Sequence, residues 1–453
     1  MMAPPIGPRE VPRLEPNREL VVPAGNERTL DNGLTVIAIE RRTVPLVELR
    51  LRVPFERTQL DPVFVAESTL MSQTLFSGTA TMSTVDIAAA LQSVGGALSA
   101  SVDADRLLVA GNGLASGLPR MLEILNDVLT GATYPDDQVT TERARLIDHI
   151  HVALSQPAYL ARVTLLRRMY GTHPYAFQTP TIHDVAPLTT VDLAAVHAAR
   201  VQPGGAVLVL VGDFDAEAVL DAVAEATGSW VGAGVGITLP PVPELMPGPV
   251  VLADRSGSVQ SSIRLALAGV GRTHPDHAAL QLANLVYGGY FSSRWVENIR
   301  ENKGYTYGAH SSVDHSVAGT AVILSTDVAT EVTAPALLET WYELGRLASV
   351  APDEAELEQA RQYALGSLLI GMSTQSGLAS LASSYAGHGL RLNFLATHAE
   401  RLAAATTEEV ATAAGTYLAP AKAITVVLGD AAMVEASLER LSTVERFSGD
   451  AAA

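Results

Sequence analysis

Val207-Leu-Val-Leu-Val-Gly-Asp213 and Ile424-Thr-Val-Val-Leu-Gly-Asp430 are one sentence written twice. Each apolar run is entered through Gln202-Pro203 or Ala419-Pro420, and each of those follows a Thr-led helix start, Leu188-Thr-Thr-Val-Asp192 or Ala405-Thr-Thr-Glu-Glu409. Thr189, Pro203 and Gly212-Asp213 map onto Thr406, Pro420 and Gly429-Asp430 with one gap-free offset of 217, which also carries Pro135-Asp136-Asp137 onto Pro352-Asp353-Glu354. Repetition of a helix, capped helix, strand and Gly-Asp turn predicts two homologous halves.

Five prolines and four glycines between Val231 and Val250 carry no helical period and read as the join. The expected plan is an extended N-terminal arm at 1–24, a first half at 25–230, a linker at 231–250, a second half at 251–442 and a flexible tail at 443–453. Apolar or alternating runs predict strands at 34–39, 46–53, 107–110, 207–211, 263–267, 321–325 and 424–428. Helices are expected at 85–94, 117–129, 138–154, 277–286 and 353–369. The connections are too mixed for a wound βαβ sheet, so an α+β class is predicted: two α/β-sandwich halves, each a mixed, mostly antiparallel sheet with helices on one face.

Composition narrows the function classes. The 453 residues are 48% apolar and 17% charged, which is ample for packed cores. No apolar run approaches the ~18 residues of a membrane span. The absence of cysteine excludes disulfides, thiolate metal sites and a cysteine nucleophile, and a cytoplasmic location is expected. A formal charge of −18 repels phosphate backbones, so nucleic acid is not an expected partner.

Chemistry concentrates in Ser292-Ser-Arg-Trp-Val-Glu-Asn-Ile-Arg-Glu-Asn-Lys-Gly-Tyr-Thr-Tyr307. Ser292 or Ser293 is expected to cap a helix over 294–302, Gly304 to end it in the left-handed conformation, and the chain from Tyr305 to run as a strand. That turn can bring Arg300 and Tyr307 together as a clamp for a carbonyl or oxyanion. The same residues also read as a helix-dipole arginine with ion pairs to Glu297 or Glu301 and an ordinary strand tyrosine. Among the eleven histidines, His149 and His151 are two apart and cannot chelate together on a helix, while His274-Pro-Asp-His277 reads as helix capping. No histidine pair has zinc-hydrolase spacing.

Taken together, Leu75-Phe-Ser-Gly-Thr79, Val94-Gly-Gly96, Tyr170-Gly-Thr-His-Pro-Tyr175, Val211-Gly-Asp213 and the 292–307 segment resemble the pitrilysin and insulinase superfamily of zinc metallopeptidases, in particular the two-subunit processing-peptidase branch. In that family an H-x-x-E-H motif precedes the Phe-x-Gly-Thr turn, two histidines and a later glutamate hold zinc, and the motif glutamate activates water. Here the two histidine places are Thr69 and Gln73, the glutamate place is Ser72, and the later ligand falls on or beside His149. The family's second-half Arg and Tyr match Arg300 and Tyr307. The resemblance implies a zinc-free subunit of a heterodimeric endopeptidase: no cofactor in this chain, zinc in a homologous H-x-x-E-H-bearing partner, and a peptide or leader-like substrate held in an enclosed chamber. Two alternatives stand beside it, a purely structural or binding subunit and an autonomous peptidase with an unusual metal site using His149 and another histidine.

Overall fold

Thr189 and Thr406 each close a reciprocal capping box, the hydroxyl turned to the third residue of the helix and the Asp192 or Glu409 carboxylate accepting from the threonine N–H. The two written-out starts therefore build the same object, and the structure, a computed structural model, repeats it throughout. Residues 20–447 are described, except 233, 235 and 237.

The first sheet holds β1 (Asn26–Thr29), β2 (Thr35–Glu40), β3 (Leu46–Pro54), β4 (Ala97–Val102), β5 (Arg106–Leu114) and β6 (Val207–Gly212), in the order β1-β2-β6-β3-β5-β4. The second holds β7 (Val250–Asp254), β8 (Gln260–Ala268), β9 (Thr306–Ser316), β10 (Gly319–Ala329), β11 (Ile424–Gly429) and β12 (Val444–Arg446), in the order β12-β7-β11-β8-β10-β9. Among the described residues, β2 with β6, β7 with β11 and β7 with β12 pair in parallel and the remaining strand pairs are antiparallel. The protein is α+β with two mixed six-stranded sheets. No helix among the described residues is long and apolar enough to cross a membrane.

The Val207–Gly212 run lacks alternation because both of its faces are buried. Leu208 and Leu210 point to the core made with their own half's helices, among them Pro62–Thr74 and Leu118–Gly131. Val209 and Val211 point the other way, onto Leu378, Ala379 and Tyr385 of the Gln375–Ala386 helix, which comes from the second half. The exchange is mutual: Leu165 and Met169 of the Pro157–Tyr170 helix cover Val251, Ala266 and Val426 of the second sheet. Each side chain of this size buried at these faces contributes about 1.5–3 kcal/mol.

The crossing points are sealed by a matched pair of arginines. Arg41 donates to the carbonyls of Met372 (2.5 Å) and Ser373 (2.7 Å), at the end of the Glu354–Ser373 helix. Arg255 donates to Ser155 O (2.8 Å), at the end of the Asp136–Ser155 helix. Each satisfies orphan helix carbonyls from the opposite half. A third tie joins the hairpin tips: Asp105 accepts from Tyr175 OH and from Val317 N (3.0 Å), and Tyr175 OH accepts from Ala318 N (3.1 Å).

The C-terminal boundary differs from expectation. The tail expected from residue 443 begins as a strand, because Val444–Arg446 finds the open edge of β7 and Phe447 N bonds Leu252 O (2.9 Å). Residues 448–453 and 1–19 lie outside the described residues. Where the N-terminal arm is described, Leu20 and Val22 pack on the Gln375–Ala386 side of the first sheet.

Candidate active site

The segment expected as one regular helix over 294–302 is a single α-turn, Arg294–Val296, running into a π-helical turn, Glu297–Asn302. A second π-turn, Leu285–Gly289, ends the preceding helix. Such turns are uncommon and concentrate at functional sites. Tertiary contacts impose them here. Trp295 is fully buried, stacks on Tyr287 at 5.3 Å and donates from Nε1 to Thr340 Oγ1 at 3.0 Å. A Cβ on Gly288 would stand 2.8 Å from the Trp295 ring and 3.0 Å from Ser311 Oγ, so only glycine lets the indole seat. Arg294 grips the Glu356 carboxylate with Nε and Nη2, both at 2.6 Å, and Asn298 Nδ2 bridges Glu339 (3.0 Å) and Glu343 (2.8 Å). Ser293 is the N-cap residue, but its hydroxyl does not cap the helix.

Gly304 reverses the chain at φ +65°, as its place in the sequence predicts, and Tyr305 N reaches back to Ile299 O at 2.8 Å. β9 then begins at the exposed edge of the second sheet. Opposite Val328 and Thr326 stand Thr306 and Ala309, so β9 carries an extra residue around Tyr307-Gly308. This bulge turns the Tyr307 side chain out of the pleat, leaving it 94% exposed.

The reversal brings Arg300 and Tyr307 together. The Arg300 Cζ lies 5.7 Å from the Tyr307 ring centroid and 4.4 Å from that of Phe291, which is itself exposed. Two rings thus hold the guanidinium plane, leaving its in-plane N–H donors for a partner. Glu301 takes one side, 3.0 Å from Nη1. A planar donor fork beside a free phenol suits a carbonyl oxygen or the oxyanion it becomes.

The Pro62–Thr74 helix is chemically closed by contrast. Asp61 caps it through Phe64 N at 3.0 Å. Thr69 Oγ1 donates to Val65 O (2.6 Å) and Ser72 Oγ to Thr69 O (2.8 Å), so both hydroxyls are spent on their own helix. Gln73 is exposed, and His149 is exposed on the neighbouring Asp136–Ser155 helix. Hydroxyl and amide oxygens are weak zinc donors beside imidazole and carboxylate, and no group of three or more His, Asp or Glu among the described residues is placed to hold a metal. These four positions do not fit zinc.

Comparison with known proteins gives the family of the chain. Residues 68–179 match the family described as Insulinase (Peptidase family M16), and residues 187–363 match the Peptidase M16 inactive domain, a stretch that starts before β6 and runs across the linker through β10. The chain belongs to the M16 peptidase family. An uncharacterized zinc protease of Mycobacterium tuberculosis is 26% identical over 383 residues, 81% of this chain and 84% of that protein. A probable inactive metalloprotease of Bacillus subtilis is 23% identical over 215 residues, 47% of this chain and 50% of that one. Among solved structures, an M16 inactive domain from Pseudomonas fluorescens superposes with a TM-score of 0.82 at 23% identity, covering 90% of this chain and 98% of that one. A protease from Helicobacter pylori gives 0.83 at 17% identity over 90% and 100%.

This M16 chain also contains features that its sequence spacing hides. Phe291 and the bulge complete the Arg300 clamp, and only Gly308 hinted at the latter. His277, read as part of a helix cap, is buried against histidines from other segments: its Nε2 is 3.2 Å from His315 Nε2, and its ring centroid is 4.9 Å from that of His398. Burial, then the neighbouring imidazoles and Arg272 and Arg401, push His277 down to about 2. Burial and Arg272 lead in holding His315 at about 3 and His398 at about 4. These groups are neutral in the fold and take up protons on unfolding below pH ~6.5. Their stabilisation is therefore complete above that pH and is lost as pH falls toward the folded values, about 2 kcal/mol per group by pH 5. Thermal melts between pH 7.5 and 5 should show a steep fall in Tm, and His277→Asn should flatten it; a flat profile for the native chain would contradict the assignment.

Proposed function

We propose that this M16 chain is the zinc-free subunit of a two-chain zinc endopeptidase, lending Arg300 and Tyr307 to a homologous partner that carries H-x-x-E-H. The observation that carries the reading is the pairing of a half-buried Arg300 held beside the exposed Tyr307 with a motif helix whose Thr69 and Ser72 hydroxyls are internally bonded. Arg300 binds and orients a substrate carbonyl, and its donors and the Tyr307 hydroxyl stabilise the oxygen as negative charge develops on it. The substrate is a peptide or leader-like segment. It is held extended against a sheet edge inside the chamber the two chains enclose, with main-chain bonds supplying the grip.

The test is reconstitution. The isolated chain is expected to purify with substoichiometric zinc and no cleavage of an internally quenched peptide library. After mixing with an M16 chain bearing H-x-x-E-H from the same source, both zinc and activity should appear in a 1:1 complex by gel filtration. Stoichiometric zinc with peptidase activity in the isolated chain would sink the proposal in favour of an autonomous enzyme. A second reading, a binding or scaffolding subunit without proteolysis, draws support from the relative described as a probable inactive metalloprotease. A 1:1 complex that forms but cleaves nothing would favour it.

A further inference from the structure

A cavity of about 580 Å³ opens where the two halves meet, apart from the Arg300 clamp. Met169 comes from the exchanged helix of the first half, Leu245 from the linker, and Leu390 from the segment after the Gln375–Ala386 helix; these give it an apolar wall. Arg272, His315 and His388 supply its polar side. The volume is that of an ordinary small-molecule site.

Arg272 is the group that needs explaining. Its guanidinium lies 5.0 Å from the Tyr385 ring centroid and hydrogen-bonds that residue's hydroxyl, but its Nε is buried without a hydrogen-bond partner, and among the described residues it makes no ion pair with a carboxylate. His388 donates from Nδ1 to Ser384 O at 2.8 Å, which leaves Nε2 a buried, unpartnered lone pair that can bond an acid only by accepting its proton. The charges around them do not supply a counter-ion. Arg52 is packed against Gly387 and adds to the positive side, Asp105 is occupied by Tyr175 and Val317 N, and Glu244 is exposed at the rim. A sheltered cation with no carboxylate partner is costly unless an anion reaches it.

We propose that this cavity binds a small organic acid, its carboxylate held by Arg272 beside His388 and its apolar body lying against Met169, Leu245 and Leu390. A single guanidinium facing an apolar wall suits a monoanion with a hydrocarbon body better than inorganic phosphate, whose second charge would find no second donor fork. The site draws on both halves and the linker, so occupancy reinforces their contact.

Calorimetric titration of the full chain with benzoate and hexanoate, and melts in their presence, test this. Saturable binding in the micromolar to millimolar range with a raised Tm is expected for at least one acid, with acetate, phosphate and benzamide much weaker. Arg272→Gln should weaken the acid at least tenfold. Leu390→Trp, which fills the apolar wall and keeps Arg272, should abolish binding in a chain whose circular dichroism is unchanged. Benzamide binding as tightly as benzoate, undiminished binding to a folded Arg272→Gln or Leu390→Trp chain, or no saturable binding of any acid would each overturn the proposal.

Discussion

Arg300→Ala in the reconstituted two-chain peptidase is expected to lower kcat/KM by about 10²–10³, the loss that follows removal of a preorganised oxyanion donor. The deficit should fall mainly on kcat, because the donor fork gains most as charge develops on the carbonyl oxygen. Tyr307→Phe keeps the ring beside the guanidinium and deletes only the hydroxyl, so a smaller loss of about tenfold is expected. Arg300→Lys is not a rescue: an ammonium lacks the planar fork that Phe291 and Tyr307 hold between them. Phe291→Ala should then reduce activity without removing any polar group, by freeing Arg300. Steady-state kinetics on the four variants at equal complex concentration make the comparison, and unchanged kinetics for Arg300→Ala would remove this pair from the active site.

Trp295→Ala should be the most damaging stability change near the site. The indole is fully buried, stacked on Tyr287 and bonded to Thr340 Oγ1, and truncation leaves both the cavity and an unpaired hydroxyl acceptor in the core. A loss of about 3–5 kcal/mol is expected. Chemical denaturation of the isolated chain reads it as a lower midpoint at similar slope. Because Gly288 is shaped to that ring, the two flanking π-turns should relax as well, and Arg300 with them. The variant should lose partner-dependent activity even below the temperature at which it unfolds.

Much of the architecture was legible because it was stated twice. The offset between Thr189 and Thr406 located matching capping boxes, and the Gly212-Asp213 and Gly429-Asp430 turns marked matching strand ends. The run at Val207–Val211 showed a strand but not why it was apolar throughout, since the helix covering its second face lies some 170 residues further along the chain. The Arg300–Tyr307 approach could be anticipated from Gly304 because it depends on one local reversal. The π-turns could not, since they arise from Trp295, Thr340 and Ser311 meeting across three elements. Nor could the histidine cluster, whose members have no common spacing; only folding makes neighbours of residues 277, 315 and 398.

The helices traded between halves have a mechanical consequence. A jaw that admits and releases an extended chain needs a hinge, and the contacts traded between the halves of this polypeptide oppose one. Rotating one sheet against the other would drag the Gln375–Ala386 and Pro157–Tyr170 helices off their seats and break the Arg41 and Arg255 seals together. These contacts favour the two halves moving together. In a two-chain enzyme, opening and closing would belong to the contact between subunits, and the rate of substrate entry would be set by how firmly two rigid halves of the vessel adhere.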